Sequence, residues 1–344
     1  MKTAAAVLVE TGKPLVLAEL DIPQLKPGQV LVEIAYSGIC HTQVLECRGY
    51  RGEDKFLPHC LGHEGSGIVR EVGAGVSKVK AGDQVILSWI KGSGQDVPGT
   101  IYDWAGKKVN AGAITTFSRY SVISENRLTV MTEAIGLDEA ALVGCAIPTG
   151  VGAVLNVAAP KPNQSLAVFG AGGVGLCAVN AAKIAGCDPL IAVDINESKL
   201  ALARELGATD LINAKDTDAV KEILNIKKSG LDYAVECSGK TTAMLQAINV
   251  LRNQGGTAVI VGNARFGEKL ELDPKQFNLG KRLLGTWGGD SVPDRDYPKY
   301  MKLIKTRELN VKPLMSKIYG LAEINQAVDD LEAGKVMRPL VRMT

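Results

Sequence analysis

Along the first 145 residues, apolar positions come in short runs broken by Gly, Pro and Asp. Runs such as 30–36 (VLVEIAY), 67–73 (GIVREVG) and 84–88 (QVILS) have strand length, and SKVKAGD over 77–83 reads as a turn between them. The opening MKTAAAVLVE predicts a first strand, because its apolar run is short and Glu10 ends it. Near residue 147 the texture changes. A strand at 165–169 (SLAVF) meets a Gly-rich turn and an apolar helix from about 174 to 186. A strand at 190–194, a helix at 197–207, a strand at 232–236, a helix at about 241–252 and a strand at 256–262 follow. This alternation predicts a parallel, doubly wound sheet. After about residue 286 the pattern is mixed again. The order predicts an α/β chain in which residues 1–146 and 287–344 form one domain and 147–286 an inserted nucleotide domain.

Composition narrows the partners. A chain of 344 residues can bury two ordinary cores. A formal net charge of +2, with no Lys/Arg block, offers no field to gather nucleic acid or an anionic membrane surface. No stretch approaches the roughly 20 apolar residues of a membrane span. No targeting tail is evident, so a cytoplasmic protein is expected. Seven scattered cysteines do not make a secreted disulfide framework. Free core thiols and metal ligands fit them better.

Residues 170–175 read GAGGVG, so Gly170, Gly172 and Gly175 match G-x-G-x-x-G. In that pattern the first glycine makes a tight turn, the second lets backbone approach a pyrophosphate, and the third lets helix pack on strand. Gly173 and Val174 open the helix whose N-terminal N–H groups would face the phosphates. A glycine turn alone is weak evidence. Here it follows a strand and opens a helix, and Asp194 ends the next strand. That carboxylate can bond both adenosine ribose hydroxyls and would repel a 2′-phosphate, which favours NAD over NADP. Lys199 could reach the same ribose, or could simply lie on a solvated helix face.

All three histidines, His41, His59 and His63, lie in one short stretch together with Cys40. Cys and His are ligands zinc prefers, and a catalytic zinc keeps three protein ligands and one open position. The spacing from Cys40 to His63 is no compact finger pattern, and a lone buried cysteine is more often a small core residue. The words around these residues say more. GICHTQ (38–43), GHEGSGIV (62–69) and GCAIPTG (144–150) come in this order before the nucleotide fingerprint. With it they resemble the zinc-dependent alcohol dehydrogenases of the medium-chain dehydrogenase/reductase family, over nearly the whole chain. The resemblance implies a GroES-like β-rich catalytic domain plus a Rossmann domain. It implies Cys40, His63 and Cys145 as catalytic zinc ligands, Thr42 as the hydroxyl that takes the substrate proton, and Glu64 as an acid behind the metal. It also implies His41 and Arg338 as contacts to the cofactor pyrophosphate. Trp89 and Trp287 are expected to line the substrate pocket. The implied reaction is hydride transfer between NAD(H) and an alcohol/aldehyde or ketone pair, with zinc acting on the substrate oxygen. Relatives are dimers or tetramers joined through nucleotide domains, so a homo-oligomer acting on a small-molecule alcohol or carbonyl is expected.

Three departures from the family pattern matter. The stretch 89–113 has no cysteine where many members carry four for a structural zinc, so one zinc per chain is expected. Gln43 stands where Asp usually supports the histidine ligand; an amide accepting the imidazole N–H would make that ligand less basic and the zinc more electrophilic and less tightly held. Leu45 stands where several members have a histidine that ends the proton relay. The sequence style is closest to the glutathione-dependent formaldehyde dehydrogenase branch. That branch binds its adduct partly near the lobe missing here, so that substrate is not expected. Two other readings remain open: a polyol or amino-cyclitol dehydrogenase, and a non-catalytic NAD(H)-binding sensor or structural protein on the same fold.

Overall fold

The computed structural model describes residues 1–343, which divide into two compact units. The first comprises Met1–Cys145, Val292–Thr306 and the stretch from Leu314 onward; the second comprises Ala146–Ser291 and Arg307–Pro313.

The first unit is built on the strand Gln29–Gly38. Antiparallel partners Glu64–Val72, Tyr120–Ser124 and Leu340–Arg342 surround it, and Gln84–Ser88 extends the sheet beyond Glu64–Val72. Side chains at every second position of a strand share one face, and here that face meets the core. Val30, Val32 and Ile34 are accordingly buried, together with Val69, Leu87 and Phe117. A closed barrel of Lys2–Leu8, Val16–Asp21, Ile101–Trp104, Lys107–Asn110 and His59–Cys60 adjoins this sheet. Its hairpin Ile101–Asn110 falls inside the stretch from which sequence predicted only a missing lobe. Ala105 (φ 50°) and Gly106 (φ 87°) form the two-residue turn with positive φ that matches the twist of the strands.

The second unit is a six-stranded parallel sheet in the order Asp210–Asn213, Leu190–Asp194, Leu166–Phe169, Tyr233–Glu236, Thr257–Ile260, Arg282–Gly285. Strand order reverses between Leu166–Phe169 and Tyr233–Glu236, and in such sheets ligands bind at the carboxyl ends of the strands flanking that point. The helices Gly173–Ile184, Glu197–Glu205 and Thr241–Asn249 stand where the apolar periodicity put them, each ending a few residues early. For the first, Gly186 (φ 75°) takes the left-handed conformation just past the helix end.

The boundaries differ from those read in the sequence. Residues 287–291 and 307–313, assigned to the first domain, pack with the second unit. Asn156 Nδ2 donates to the Gly289 carbonyl at 3.1 Å, Ser291 Oγ to the Pro148 carbonyl at 3.0 Å, and Asn180 Nδ2 to the Asn310 carbonyl at 3.1 Å. No single described helix is long and apolar enough to cross a membrane.

Candidate metal centre and dinucleotide cradle

In the first unit, three chain segments bring Cys40, His63 and Cys145 together. Cys40 follows the strand Gln29–Gly38 and caps the short helix His41–Cys47. His63 precedes the strand Glu64–Val72. The turn into it passes through Gly62 (φ 92°), where a Cβ would lie 2.4 Å from Thr116 Oγ1, so only glycine fits. Cys145 ends a 3-10 turn at Leu142–Gly144, which Ser88 Oγ holds by donating to the Gly144 carbonyl at 2.8 Å.

One ligand atom from each of the three lies within 4.8 Å of the others, and His63 Nε2 is 3.2 Å from the Cys145 sulfur. A hydrogen bond from Cys145 holds Cys40 well below the usual thiol range, with the charges of Arg338 and His63 helping and burial opposing. The same hydrogen bond, with burial, pushes Cys145 well above that range. Two thiols and an imidazole converging in a buried pocket, one thiol already poised to ionise, are a donor set that suits zinc.

Thr42 Oγ1 is 3.6 Å from the Cys40 sulfur. Glu64 is fully buried and pairs with buried Arg338, Nε to Oε1 at 2.6 Å, while Arg338 Nη2 is buried without a hydrogen-bond partner among the described residues. His41 is exposed at the start of its helix. The Trp89 ring meets His63 edge-to-face with centroids 6.5 Å apart. Trp287 belongs to the second unit and is 76% exposed. Leu45 is buried.

Gln43 corrects an expectation. Its amide was expected to accept the imidazole N–H. Instead Oε1 accepts the Cys40 backbone N–H at 2.8 Å, and Nε2 faces His63 Nδ1. The reason is local. Gln43 occupies the third position of the helix, where its side chain reaches back to cap the N-terminus.

In the second unit, Gly170 (φ 92°) makes the tight turn. A Cβ on Gly175 would sit 1.8 Å from the Gly170 carbonyl oxygen, whereas a Cβ on Gly172 would meet nothing within 4 Å. The open space beside Gly172, at the N-terminus of Gly173–Ile184, is the cradle a pyrophosphate requires. Gly173 and Val174 are the first two residues of that helix. Asp194 Oδ2 accepts the Ala171 N–H at 2.7 Å, and Oδ1 accepts those of Ile195 and Asn196 at 2.8 and 3.0 Å. The carboxylate thus fixes the turn as well as standing at the strand end. Lys199 is the third residue of the helix Glu197–Glu205, in its first turn beyond Asp194. Sequence reasoning missed Glu236, fully buried at the switch point. Its Oε1 accepts the backbone N–H of Ser238 at 2.7 Å and of Gly239 at 2.9 Å. An acidic residue ending an apolar strand before Ser-Gly was the available signal.

A dinucleotide fold carrying a Cys–His–Cys metal centre defines a zinc-binding dehydrogenase, and the comparisons agree. Residues 26–133 match the alcohol dehydrogenase GroES-like domain, and residues 173–306 match the zinc-binding dehydrogenase domain. S-(hydroxymethyl)glutathione dehydrogenases of Synechocystis sp. and Escherichia coli are each 34% identical over 99% of this chain and all of their own length. Among solved structures, an alcohol dehydrogenase zinc-binding domain protein from Burkholderia ambifaria (34% identity) covers all of this chain and 99% of its own, with a TM-score of 0.92. Benzyl alcohol dehydrogenase from Acinetobacter calcoaceticus (31% identity) matches over the whole of both chains with the same TM-score of 0.92. This chain belongs to the zinc-dependent alcohol dehydrogenases of the medium-chain dehydrogenase/reductase family. It is a zinc-dependent, NAD-linked alcohol oxidoreductase.

Proposed function

We propose that the chain interconverts a small-molecule alcohol and its aldehyde or ketone, using one zinc ion held by Cys40, His63 and Cys145. The observation that carries this reading is the buried convergence of those donors, with Cys40 poised as the thiolate. Zinc bound there supplies Lewis acidity to the substrate oxygen. The remaining work falls to the chain. Thr42, beside the Cys40 sulfur, takes the substrate proton. Leu45 carries no protonic group, so no relay is proposed through that position. The Glu64–Arg338 pair keeps a compensated charge behind the ligands. Arg338 Nη2 and His41 are the proposed pyrophosphate contacts, and Asp194 with Lys199 the ribose contacts that select NAD.

A single zinc is proposed because protein groups stitch the cysteine-free stretch 89–113. Glu125 accepts the N–H of Gln95 at 2.9 Å and of Ser77 at 3.0 Å, and Lys91 pairs with Asp96 at 2.5 Å. A homo-oligomer is proposed through the second unit. Arg282–Gly285 is an edge strand with an open hydrogen-bonding side and exposed Leu284, a surface that invites pairing. A cytoplasmic location, with neither nucleic acid nor membrane as partner, completes the proposal.

The test follows NADH consumption by the zinc-loaded protein against aldehydes, ketones and sugar-derived carbonyls, including the glutathione adduct after which two relatives are named. The expected result is turnover that stops on chelation and returns with zinc. Full NADH and zinc binding without turnover of any compound would instead favour a binding protein on this fold.

A further inference from the structure

The strand Leu166–Phe169, which runs into the fingerprint turn, has two neighbours in the sheet, and each ends in an acid. Leu190–Asp194 ends in Asp194, which holds that turn directly by accepting the Ala171 N–H at 2.7 Å. Tyr233–Glu236 ends in Glu236, a residue with no part in the metal centre or in the proposed ribose and pyrophosphate contacts. Its side chain is fully buried, and a carboxylate is costly to bury unless hydrogen bonds compensate it.

One turn supplies that compensation. Oε1 accepts the Ser238 N–H at 2.7 Å, the Gly239 N–H at 2.9 Å and the Ser238 hydroxyl. Burial raises the pKa of the carboxyl, and these hydrogen bonds oppose it. The Ser238 oxygen in turn accepts the Lys240 N–H at 3.2 Å, and Gly239 closes the turn with φ 71°. Oε2 is packed against Gly262, where a Cβ would stand 2.8 Å away. The same turn abuts the fingerprint. A Cβ on Gly170 would lie 2.9 Å from both the nitrogen and the Cβ of Ser238, and one on Gly175 would lie 3.5 Å from the Cβ of Cys237. Cys237 is also tied to the fingerprint strand, its N–H donating to the Phe169 carbonyl at 2.8 Å. Two of the three fingerprint glycines therefore rest on the turn that the Glu236 carboxylate closes.

We infer that Glu236 is a positioning residue for the dinucleotide: it fixes the turn 237–239 against Gly170 and Gly175, and so holds the fingerprint in the shape that leaves the space beside Gly172 open to the pyrophosphate. The inference rests on the NAD-linked reading and adds to it a buried residue that sets cofactor affinity through its neighbours. A carboxylate suits this task because it only accepts, and each group the turn presents to Oε1 donates. Without the acceptor, two backbone N–H groups are left unsatisfied in a buried turn, and the turn relieves them by moving off Gly170.

To test it, NADH is titrated into the zinc-loaded wild type, Glu236→Leu, Glu236→Gln and Ser238→Ala, with zinc content and thermal melting read on each. Glu236→Leu removes the acceptor and should weaken NADH binding about tenfold, the scale of leaving buried N–H groups unsatisfied, with zinc content at the wild-type level. Glu236→Gln keeps an acceptor oxygen of the same reach and should return affinity to within about threefold of wild type. Leucine and glutamine fill similar space, so a residue that merely filled the core would not show this rescue. Ser238→Ala deletes one of the three donors and should cost about threefold. Wild-type affinity in Glu236→Leu, or an equal loss in Glu236→Gln and Glu236→Leu, overturns the inference. Zinc lost together with NADH affinity in Glu236→Leu would mark general damage and overturn it as well. Should Glu236→Leu not fold, Ser238→Ala decides: the threefold loss upholds the inference and wild-type affinity overturns it. A wild type that binds no NADH would overturn the NAD-linked reading itself, whereas a binding wild type with indifferent variants overturns this inference alone.

Discussion

His63 faces the Cys145 sulfur through Nε2 and meets Gln43 through Nδ1. An imidazole that binds a metal through Nε2 carries its proton on Nδ1 and needs an acceptor there. Gln43 presents its NH2 group, because its oxygen is spent on the Cys40 backbone N–H. Turning the amide over would serve His63 and strand Cys40. A carboxylate of the same length serves both. Gln43→Glu should therefore hold zinc about 10–100-fold more tightly against a competing chelator, the usual range for the group that supports a histidine ligand. Unchanged retention would show that this amide does not limit metal affinity. The departure at Gln43 was legible in the sequence, but its direction was not. The capping bond that turns the amide exists only once the helix His41–Cys47 has formed. Glu236 offered a weaker signal, an acidic residue ending an apolar strand, and only the folded sheet shows that it is fully buried.

The dinucleotide turn shows how far one element can be read ahead. Glycine spacing predicted its shape because each glycine answers a local steric demand. Gly175 is the most stringent, with the Gly170 carbonyl 1.8 Å from where its Cβ would stand. Gly175→Ala should push Gly173–Ile184 away from the turn and raise the NADH dissociation constant at least about tenfold, with zinc content unchanged, because overpacking there displaces the phosphate-binding N–H groups. Wild-type NADH affinity in that variant would remove this helix from the cofactor site. The strands Leu190–Asp194 and Gln84–Ser88 matched their apolar runs residue for residue, because each run is bounded by turn residues. The hairpin Ile101–Trp104 and Lys107–Asn110 escaped notice because IYDW and KKVN are only four residues each and neither alternates apolar with polar positions. Its turn residues, Ala105 and Gly106, are also a weaker signal than Asn-Gly.

At the scale of the whole molecule, the two-unit plan was legible because the period of the apolar pattern changes near residue 147. The boundaries were less so. The stretches 287–291 and 307–313 carry little periodicity, and hydrogen bonds from Asn156, Ser291 and Asn180 decide where they belong. The metal centre could be foreseen only through the words around its ligands, since Cys40, His63 and Cys145 are distant in sequence and the first unit must fold before they meet. That meeting is the central claim, and zinc content measures it most directly. Elemental analysis of the purified protein should find one zinc per chain. It should find almost none in Cys145→Ala, whose NADH binding and melting behaviour should remain close to wild type. Full zinc occupancy in Cys145→Ala would place the metal elsewhere and contradict the account.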